Sequence, residues 1–370
     1  MPLTLVIPEL LWPEPADRDT LDTLACPALE TLLARAVLRR RPAVSYEAAL
    51  CDAAGLPENA PYAAVRHLGE SADAPGANTT TAGRTWLAAD PVHLHFLQER
   101  IVLADPSQLA LSDDETQEIV ATFNAELGEF GRFHAGAAGR WYLEPSDPTL
   151  ATEHHAPPLS AVAGRSVERL LPSVGEARAQ RRLQNAAQML LHDHPVNRAR
   201  DAAGQMRINA LWLWGGGALP AVQDGAPQLR LPFASVWSAE PLARGLARAA
   251  GVPMAPQPAD ANTWLADTAP DAQALVVLDK LAAAVHYESD AAYRTALAQL
   301  ESEWFAPLLA ALRHGALRGE LTLLAPTVYG LLEWRLTRGA SWAFWRRAAP
   351  LAALVGELAA PPATNSTHPL

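Results

Sequence analysis

The sequence has 370 residues, of which 49% are hydrophobic and 19% are charged, a balance typical of a globular chain with a large buried core. This length exceeds that of most single domains, so one large α/β domain with a smaller companion is expected. The formal net charge of −11 argues against a nucleic-acid partner, because phosphate binding needs clustered lysine and arginine. The 2 cysteines, Cys26 and Cys51, are too few for a disulfide framework or a thiolate zinc site.

The start of the chain has the pattern of a strand. Residues 1–9 lack the basic region of a signal peptide and run from apolar residues into Pro8 and Glu9. No apolar run in the sequence is long enough to cross a bilayer. We therefore expect a cytoplasmic protein with no membrane partner.

Local signals place the first elements. The apolar run Leu3–Ile7, closed by Pro8, predicts a buried parallel strand. Pro27 suits the first turn of a helix that continues to Ala36, and Ser45 can cap a second helix. Arg39–Arg41 is a short basic run, which we interpret as a solvated face or end of a helix.

A change in the predicted pattern of helices and strands marks an expected inserted domain. Ser71–Gly83 is small, polar and rich in turn residues, which indicates a boundary loop. Beyond it the sequence predicts two strands, a helix opened by a capping box, and a third strand; these are Trp86–Leu94, Arg100–Ala104, the helix from Ser112, and Gly139–Leu143. We expect an inserted α+β domain at 76–158, an α/β core at 1–75 and 159–358, and a disordered tail at 359–370.

After the expected insertion, helices and strands alternate, which implies a mostly parallel sheet with helices on both faces. The helices are predicted at Gly175–His192, Pro241–Ala250 and Ser289–Arg313. The strands are predicted at Ile208–Trp214, Phe233–Trp237, Ala274–Leu278 and Glu320–Leu324.

The most informative stretch is His194-Pro195-Val196-Asn197, followed by Asn209-Ala210-Leu211-Trp212-Leu213-Trp214-Gly215-Gly216-Gly217. It resembles a block of the archaeal-type cofactor-independent phosphoglycerate mutases, which belong to the alkaline-phosphatase superfamily. Residues 26–32 and 239–247 resemble further family segments in the same order. The resemblance implies an alkaline-phosphatase-like α/β sandwich with a mostly parallel central sheet and a small inserted α+β domain.

That family needs two metals and a Ser or Thr nucleophile, and most of the matching positions differ here. Pro8-Glu9 stands where the family reads Asp-Gly, and residues 56–70 contain neither Ser nor Thr. Ala283 replaces an Asp, and Pro326-Thr327-Val328 replaces a Pro-Asp-His triplet. Lys280 is retained, but His286 lies one place short of the expected His.

Three hypotheses follow from this pattern. The leading one is a non-catalytic phosphoglycerate-mutase-like protein with a binding or regulatory role. The alternative is a metal-dependent phosphomutase or phosphatase that uses displaced ligands: Glu9, Asp279, His286 and Glu288. The third, a structural subunit of an oligomer, rests only on the Trp and Leu residues of the C-terminal segment.

Other motifs favour structural interpretations. His192 and His194, with His154 and His155, could form a zinc site, but the first pair fits a helix C-terminus and the second an exposed loop. Residues 215–217 lack the Lys-Ser/Thr pair of a phosphate loop, so a tight strand exit is expected. Large aromatics are more often core than ligand groove; here they are Trp212, Trp214, Trp237, Trp334, Trp342 and Trp345.

Ten residues are candidates for a cleft or ligand pocket: His194, Asn197, Arg200, Asn209, Trp212, Gly215, Asp90, His93, Lys280 and His286. Asp90 and His93 are predicted to close a strand of the small module; they could face a cleft between domains, and a hydrogen-bonded turn explains them equally well. We expect His194 and Asn197 to hold backbone groups around the strand Ile208–Trp214. The sequence predicts no catalytic residue, metal ligand or cofactor. It leaves the partner open between a small molecule, another protein and a second copy of the chain.

Overall fold

The computed structural model describes residues 2–57, 59–70, 83–97, 100–137, 139–153, 156–170, 177–220, 229–268 and 273–360. The expected boundary loop before Gly83, His154 and His155, and the tail from residue 361 lie outside these residues. The described chain divides into two compact units. Unit 1 comprises 1–44, 258–273 and 278–370, and unit 2 comprises 45–257 and 274–277.

Strands occur along most of the described chain, from Leu3 to Leu336. They are β1 (Leu3–Val6), β2 (Val37–Arg41), β3 (Thr85–Leu97), β4 (Arg100–Ala104), β5 (Gly131–Ala135), β6 (Trp141–Pro145), β7 (Ala210–Ala218), β8 (Ser235–Trp237), β9 (Met254–Ala255), β10 (Ala274–Val277), β11 (Leu321–Thr327) and β12 (Gly330–Leu336).

The helices are shorter and more numerous than the sequence predicts. They are α1 (Arg18–Leu21), α2 (Pro27–Arg35), α3 (Tyr46–Ala53), α4 (Tyr62–Glu70), α5 (Pro106–Leu109), α6 (Asp113–Glu126), α7 (Leu159–Val162), α8 (Arg178–His192), α9 (Pro195–Ala202), α10 (Pro241–Ala249), α11 (Ala261–Asp267), α12 (Ala282–His286), α13 (Asp290–Leu300), α14 (Ala306–His314) and α15 (Leu351–Ala359). A π-helical turn, Glu301–Phe305, joins α13 to α14.

Unit 1 contains a mixed run of strands in the order β2-β12-β11-β1. β1 pairs parallel with β11, with Leu3 opposite Leu321, whereas β12 is antiparallel to both β11 and β2. The N–H of Leu278 donates to the carbonyl of Val6 at 2.9 Å. The ends of β1 and β11 and the segment from Leu278 therefore meet in one place.

Unit 2 contains two sets of strands. β10, β8 and β9 are parallel neighbours, and β10 is buried along its whole length, as a strand covered on both faces should be. The second set is antiparallel, in the order β4-β3-β6-β5, with β7 also paired to β3. Its core is formed by apolar side chains from the strands, α6 and α8, including Phe123, Trp141 and Leu183.

The structure corrects the prediction for the strand at Ile208–Trp214. This strand is β7, and it pairs antiparallel with β3, with Trp212 opposite Asp90, instead of joining the parallel strands. Alternation along the chain cannot reveal this, because strand order depends on contacts between distant segments. Glycines 215–217 also lie within β7, not at a strand exit.

The basic run Arg39–Arg41 is a second correction. It belongs to strand β2, not to a helix face or end. β12, which pairs with β2, and β5 were also missed. The capping box at Ser112 is confirmed: Ser112 Oγ accepts from the N–H of Glu115 at 3.2 Å, and Glu115 Oε2 accepts from the N–H of Ser112 at 2.9 Å. The cap at Ser45 is confirmed too, since its hydroxyl accepts from the N–H of Ala48.

The predicted fold class, α/β with parallel strands, is confirmed, whereas the predicted domain boundaries at 76 and 158 stay predictions. Among the described residues, no helix combines the length and apolar character needed to cross a membrane.

Two glycines allow α4 and α10 to pack backbone against backbone within unit 2. A Cβ on Gly69 would lie 1.8 Å from the carbonyl oxygen of Pro241, and one on Gly245 would lie 1.8 Å from that of Val65. Real Cβ atoms never approach backbone so closely, so both positions require glycine.

We predict that Gly69→Ala destabilises the protein by about 3 kcal/mol or more, because α4 and α10 must separate to admit the methyl group. Chemical denaturation measures the loss. Gly356→Ala is the matched control, since Gly356 lies in α15 with nothing within 4 Å of a built Cβ. It should raise stability by up to about 1 kcal/mol. Equal effects of the two substitutions would contradict the packing argument.

Candidate functional site

The His-Pro-Val-Asn block forms the start of α9. His194 is the N-cap residue: its Nδ1 accepts from the N–H of Val196 at 3.2 Å, and its Nε2 lies 3.0 Å from the hydroxyl of Thr122. Burial lowers the pKa of His194, so the ring is neutral near pH 7. His194 thus begins a helix, in contrast to its predicted place at a helix C-terminus.

Asn197 binds the backbone on both sides of α9. Its Nδ2 donates to the carbonyls of Leu191 and Ile208, both at 2.7 Å, and its Oδ1 accepts from the N–H of Ile208 at 2.9 Å. The side chain is fully buried. These are backbone contacts of the kind that the sequence predicts for Asn197, and they join α8 to the segment that enters β7.

The next candidates also bind within unit 2. Arg200 donates to the carbonyls of Met206 and Leu109 and to Glu115 Oε1, the last at 2.8 Å. Asn209 exchanges two hydrogen bonds of 2.8 Å with the backbone of Leu94. These polar side chains bind the elements of the sheet together.

His93 and Trp212 are anchored in the same way. His93 Nδ1 lies 2.9 Å from the carbonyl oxygen of Arg207, and Trp212 Nε1 donates to the carbonyl of Pro157 at 2.8 Å. Gly215 has a φ of +65°, and a Cβ on Gly216 would lie 2.0 Å from the carbonyl oxygen of Ala151. The close backbone approach expected of these glycines is therefore present.

Asp90 lies in the middle of β3, not at a strand end facing a cleft, and its side chain is completely buried. The guanidinium of Arg66 donates to both carboxylate oxygens, at 2.7 and 2.8 Å. Trp214 Nε1 and the N–H of Trp141 donate to the same carboxylate at 2.8 and 3.1 Å. Burial acts to lower the pKa of the Arg66 guanidinium, but the neighbouring Asp90 outweighs this effect and raises that pKa above its ordinary value.

A second polar group lies beside this ion pair. Arg66 stands over the rings of Tyr142 and Trp214, at 4.8 and 4.9 Å from their centroids. The hydroxyl of Tyr142 donates to Glu70 Oε1 at 3.1 Å, and Arg140 binds the same carboxylate. His67 stacks on Trp86 at 3.8 Å, and burial lowers its pKa to about 4. His67 is therefore a neutral aromatic surface at physiological pH.

Two buried carboxyl groups complete the polar interior of unit 2. Glu240 caps α10 by accepting from the N–H of Ala243 at 2.9 Å, and it accepts from the hydroxyl of Tyr46 at 3.2 Å. Burial raises the pKa of Glu240 to about 7, against the hydrogen bonds from backbone N–H groups. Burial also raises the pKa of Glu47, which accepts from Ser160 Oγ at 2.5 Å.

The strand ends of unit 1 hold the other candidates. Glu9 follows β1 with a left-handed φ of +56°, and its N–H donates to the carbonyl of Pro326 at 2.9 Å. His286 Nε2 lies 3.8 Å from Glu9 Oε1, and both side chains are buried. A left-handed glutamate is uncommon, and such strain concentrates at functional positions.

Two tyrosines fasten the loop after β1. The hydroxyl of Tyr293 donates to the carbonyl of Leu10, and that of Tyr329 donates to the carbonyl of Trp12, both at 2.8 Å. Trp12 packs on Tyr293 with ring centroids 5.0 Å apart. Burial raises the pKa of both hydroxyls, that of Tyr329 to about 12, so they remain neutral donors.

Thr327 ends β11 within a local turn. Its hydroxyl donates to the carbonyl of Gly330 at 3.0 Å and accepts from the N–H of Tyr329 at 3.2 Å. Lys280, the retained lysine, pairs with Glu303 at 3.1 Å. Burial raises the pKa of Asp279. In the part of the chain that the structure describes, no three His, Cys, Asp or Glu side chains group so that they could hold a metal ion.

The ten candidates therefore fall into two groups. Eight lie in unit 2, as parts of its hydrogen-bonded interior, and two, Lys280 and His286, lie in unit 1. Reasoning from sequence missed Arg66, although an arginine inside the apolar helix face of α4 was a visible signal. It also missed Tyr293 and Tyr329, whose partners lie 283 and 317 residues away and leave no local pattern.

Comparison with known proteins adds distant relatives. No protein-family profile matches the chain. A 2,3-bisphosphoglycerate-independent phosphoglycerate mutase of Methanosarcina mazei is 30% identical over 138 residues, which cover 36% of this chain and 34% of the relative. A probable enzyme of the same name from Geobacter sulfurreducens is 28% identical over 167 residues, covering 44% and 40%. The chain thus matches between a third and two fifths of the length of these curated relatives.

Among solved structures, the PH0037 protein of Pyrococcus horikoshii has a TM-score of 0.52 at 14% identity, covering 91% of this chain and 87% of its own. A cofactor-independent phosphoglycerate mutase of Thermoplasma acidophilum has a TM-score of 0.45 at 17% identity, covering 91% and 90%. The fold defines a mixed α/β protein with parallel strands. With the sequence matches, the chain is a relative of the cofactor-independent phosphoglycerate mutases, as its His194–Gly217 block predicts.

We predict that Asn197→Ala lowers the free energy of unfolding by about 3 kcal/mol, because it leaves buried backbone groups of Leu191 and Ile208 without their partner. Denaturant titration measures this loss. Asn262→Ala, at an exposed position of α11, is the matched control and should change stability by less than about 0.5 kcal/mol. Retained stability in Asn197→Ala would show that the contacts are dispensable.

The buried Glu240 predicts a pH dependence. Its pKa is about 7 in the folded protein against an ordinary value of 4.5, so the folded state binds the proton more tightly. The stabilisation of the folded state by this bound proton is complete below about pH 4.5 and is lost as the pH rises through about 7. Between pH 5 and 8 the unfolding free energy should fall by on the order of 1 to 3 kcal/mol through this group.

Glu240→Gln should flatten this decline, because glutamine can still accept from the N–H of Ala243 but carries no titrating proton. Glu47 contributes in the same direction and leaves a residual slope in the variant. The exposed Glu357→Gln in α15 is the control and should keep the parent's slope. Parallel pH profiles for the parent chain and Glu240→Gln would refute the assignment.

Proposed function

We propose that this chain is a non-catalytic phosphoglycerate-mutase-like protein with a binding or regulatory role. The proposal rests on the side-chain contacts at the ends of strands β1 and β11 in unit 1. Neutral hydroxyl donors, Tyr293 and Tyr329, bind the carbonyls of the loop after β1. A metal centre would instead place carboxylates and imidazoles there, whose repulsion the cations relieve.

The donor set at these strand ends does not fit a two-metal centre. Both tyrosine hydroxyls already donate to carbonyls, and Thr327 is engaged in its own turn. Glu9 and His286 contribute one carboxylate and one imidazole that face each other. A hard divalent cation requires more oxygen ligands than this pair supplies, so we derive no metal-dependent step.

The nucleophile region supports the same proposal. The family resemblance calls for a Ser or Thr in the segment that precedes and forms α4, and this segment instead supplies Arg66 and Glu70 to the interior of unit 2. Arg66 forms a buried ion pair with Asp90, and Glu70 forms a partly buried one with Arg140. These pairs give the segment a structural task that does not involve phosphoryl transfer. On this proposal, the phosphoglycerate mutase activity named for the relatives belongs to the ancestry of this chain and not to its present function.

A second candidate function is a metal-dependent phosphomutase or phosphatase with displaced ligands. Two observations favour it: Nε2 of His286 lies 3.8 Å from Oε1 of Glu9, and Glu9 has a left-handed backbone. Asp279 and Glu288 would have to complete the site. Cytoplasmic location, an inserted domain at 76–158 and self-association remain predictions from the sequence.

The two candidates differ in their response to metal. We predict that the melting temperature of the full chain changes by less than about 2 °C with EDTA or with added Mn²⁺ or Zn²⁺, since a ligand stabilises only the state that binds it. A site with micromolar affinity would add about 3 kcal/mol at a hundredfold excess over its Kd. Differential scanning fluorimetry measures the shift, and a generic phosphomonoester assay accompanies it.

Glu9→Gln and His286→Gln separate the outcomes. If metal raises the melting temperature of the parent chain and either variant abolishes that rise, the displaced-ligand enzyme is correct. The proposal of a non-catalytic protein would also fail if phosphomonoester turnover were lost in the same variants. Lys280→Ala is the control, because Lys280 pairs with Glu303 at a partly exposed position and carries no metal ligand.

A further inference from the structure

Among the strands that the structure describes, β2 lies at the outer edge of those in unit 1. It pairs antiparallel with β12, from Val37 opposite Arg335 to Arg41 opposite Leu331, and it stands at the end of the strand order. An edge strand offers backbone N–H and carbonyl groups to a further strand. This edge is therefore a place where another extended chain can add.

Large apolar side chains are exposed on and beside this edge. Val37 is 65% exposed, and Trp342, Phe344 and Trp345 are 56%, 79% and 71% exposed. The aromatic segment is held next to the start of β2, because Arg346 Nη1 donates to the carbonyls of Arg35 and Ala36 at 3.3 and 3.4 Å. Exposed aromatics in a group of this kind mark interaction surfaces.

The charge of the same surface is basic, on a chain whose net charge is −11. Arg39 and Arg40 on β2 and Arg346 and Arg347 after the aromatics are all exposed. Glu333 lies opposite Arg39 on β12, but it is buried and paired with Arg335. We name Val37–Arg41 together with Trp342–Arg347 the basic edge.

We propose that the basic edge binds an acidic, extended segment of another protein, which adds to β2 as a further strand. Backbone pairing satisfies the edge of β2, as in other cases of strand addition. Successive side chains of β2 point to opposite faces, so carboxylates of the segment can meet Arg39 on one face and Arg40 on the other. Apolar residues of the segment would cover Val37 and the exposed aromatics.

Charge decides between this partner and a second copy of the chain. Two-fold antiparallel pairing of the whole of β2 with itself would place Arg39 of one copy opposite Arg39 of the other, with Arg41 diagonal to it. Like charges directly opposite each other destabilise a strand pair, whereas acidic side chains stabilise it. The basic edge touches the strand ends of unit 1 through Arg40, whose Nε donates to the carbonyl of Tyr329 at 2.8 Å. It contains neither Glu9 nor His286, so the proposal stands whether or not those two residues are catalytic.

The test uses the full chain and a short fluorescein-labelled peptide of repeated Glu-Glu-Val-Val, which presents carboxylates on both faces of an added strand. Binding is measured by fluorescence anisotropy. We expect saturable binding that weakens at high salt. The double variant Arg39→Glu/Arg347→Glu should weaken binding by about tenfold. Arg318→Glu, a charge reversal at another exposed position of unit 1, should change it by less than about twofold. Equal weakening by both variants would overturn the proposal.

A second peptide separates strand addition from simple charge attraction. It has the same side chains but N-methylated alternate backbone nitrogens, which cannot donate to β2. We expect it to bind about tenfold more weakly than the parent peptide. Equal binding of the two peptides overturns strand addition, as does tighter binding of phosphatidylserine vesicles or a single-stranded oligonucleotide. Dimerisation abolished by Arg39→Glu would assign the edge to a second copy and overturn the acidic partner.

Discussion

The interior of unit 2 is organised around one buried ion pair, Arg66–Asp90. Removing both charges from water is costly, and only complete hydrogen bonding compensates for that cost. Asp90 has this compensation from Arg66 and from donors on Trp141 and Trp214. Because these residues come from α4, β3, β6 and β7, the ion pair fixes how a helix and three strands meet.

The glycines of the same region follow from that arrangement. α4 must approach the sheet closely enough for Arg66 to reach Asp90, and it must also accept α10 against its backbone. Gly69 and Gly245 make the second contact possible, since any Cβ would overlap a carbonyl group. Polar residues resembling a mutase signature, such as His194 and Asn197, likewise serve to hold backbone groups. The likeness of these residues to an enzyme signature therefore reflects the requirements of packing as well as those of chemistry.

The strand ends of unit 1 lie where α/β enzymes carry their chemistry, and the proposed non-catalytic role rests on the side chains found there. Parallel strands bring the loops after β1 and β11 together, which is where open α/β sheets place their sites. Tyrosine hydroxyls and Trp12, whose ring packs at a tilt against Tyr293, occupy this position. On the function proposed here, the fold is retained while the site has changed, because packing and chemistry depend on different residues.

Local signals in the sequence determined the elements that depend on neighbouring residues. These include the buried first strand, the caps at Ser45 and Ser112, and the α/β class, since capping and apolar periodicity act within a few residues. Of the site, the backbone contacts of Asn197 were accessible in this way, because its partners lie within 11 residues. Only the tertiary structure decided that Arg39–Arg41 forms an edge strand, that β7 joins β3, and that Tyr293 and Tyr329 close the loop after β1. Each of these depends on partners far away in the chain, and such pairing is selected by the complementarity of whole surfaces, which no local pattern records.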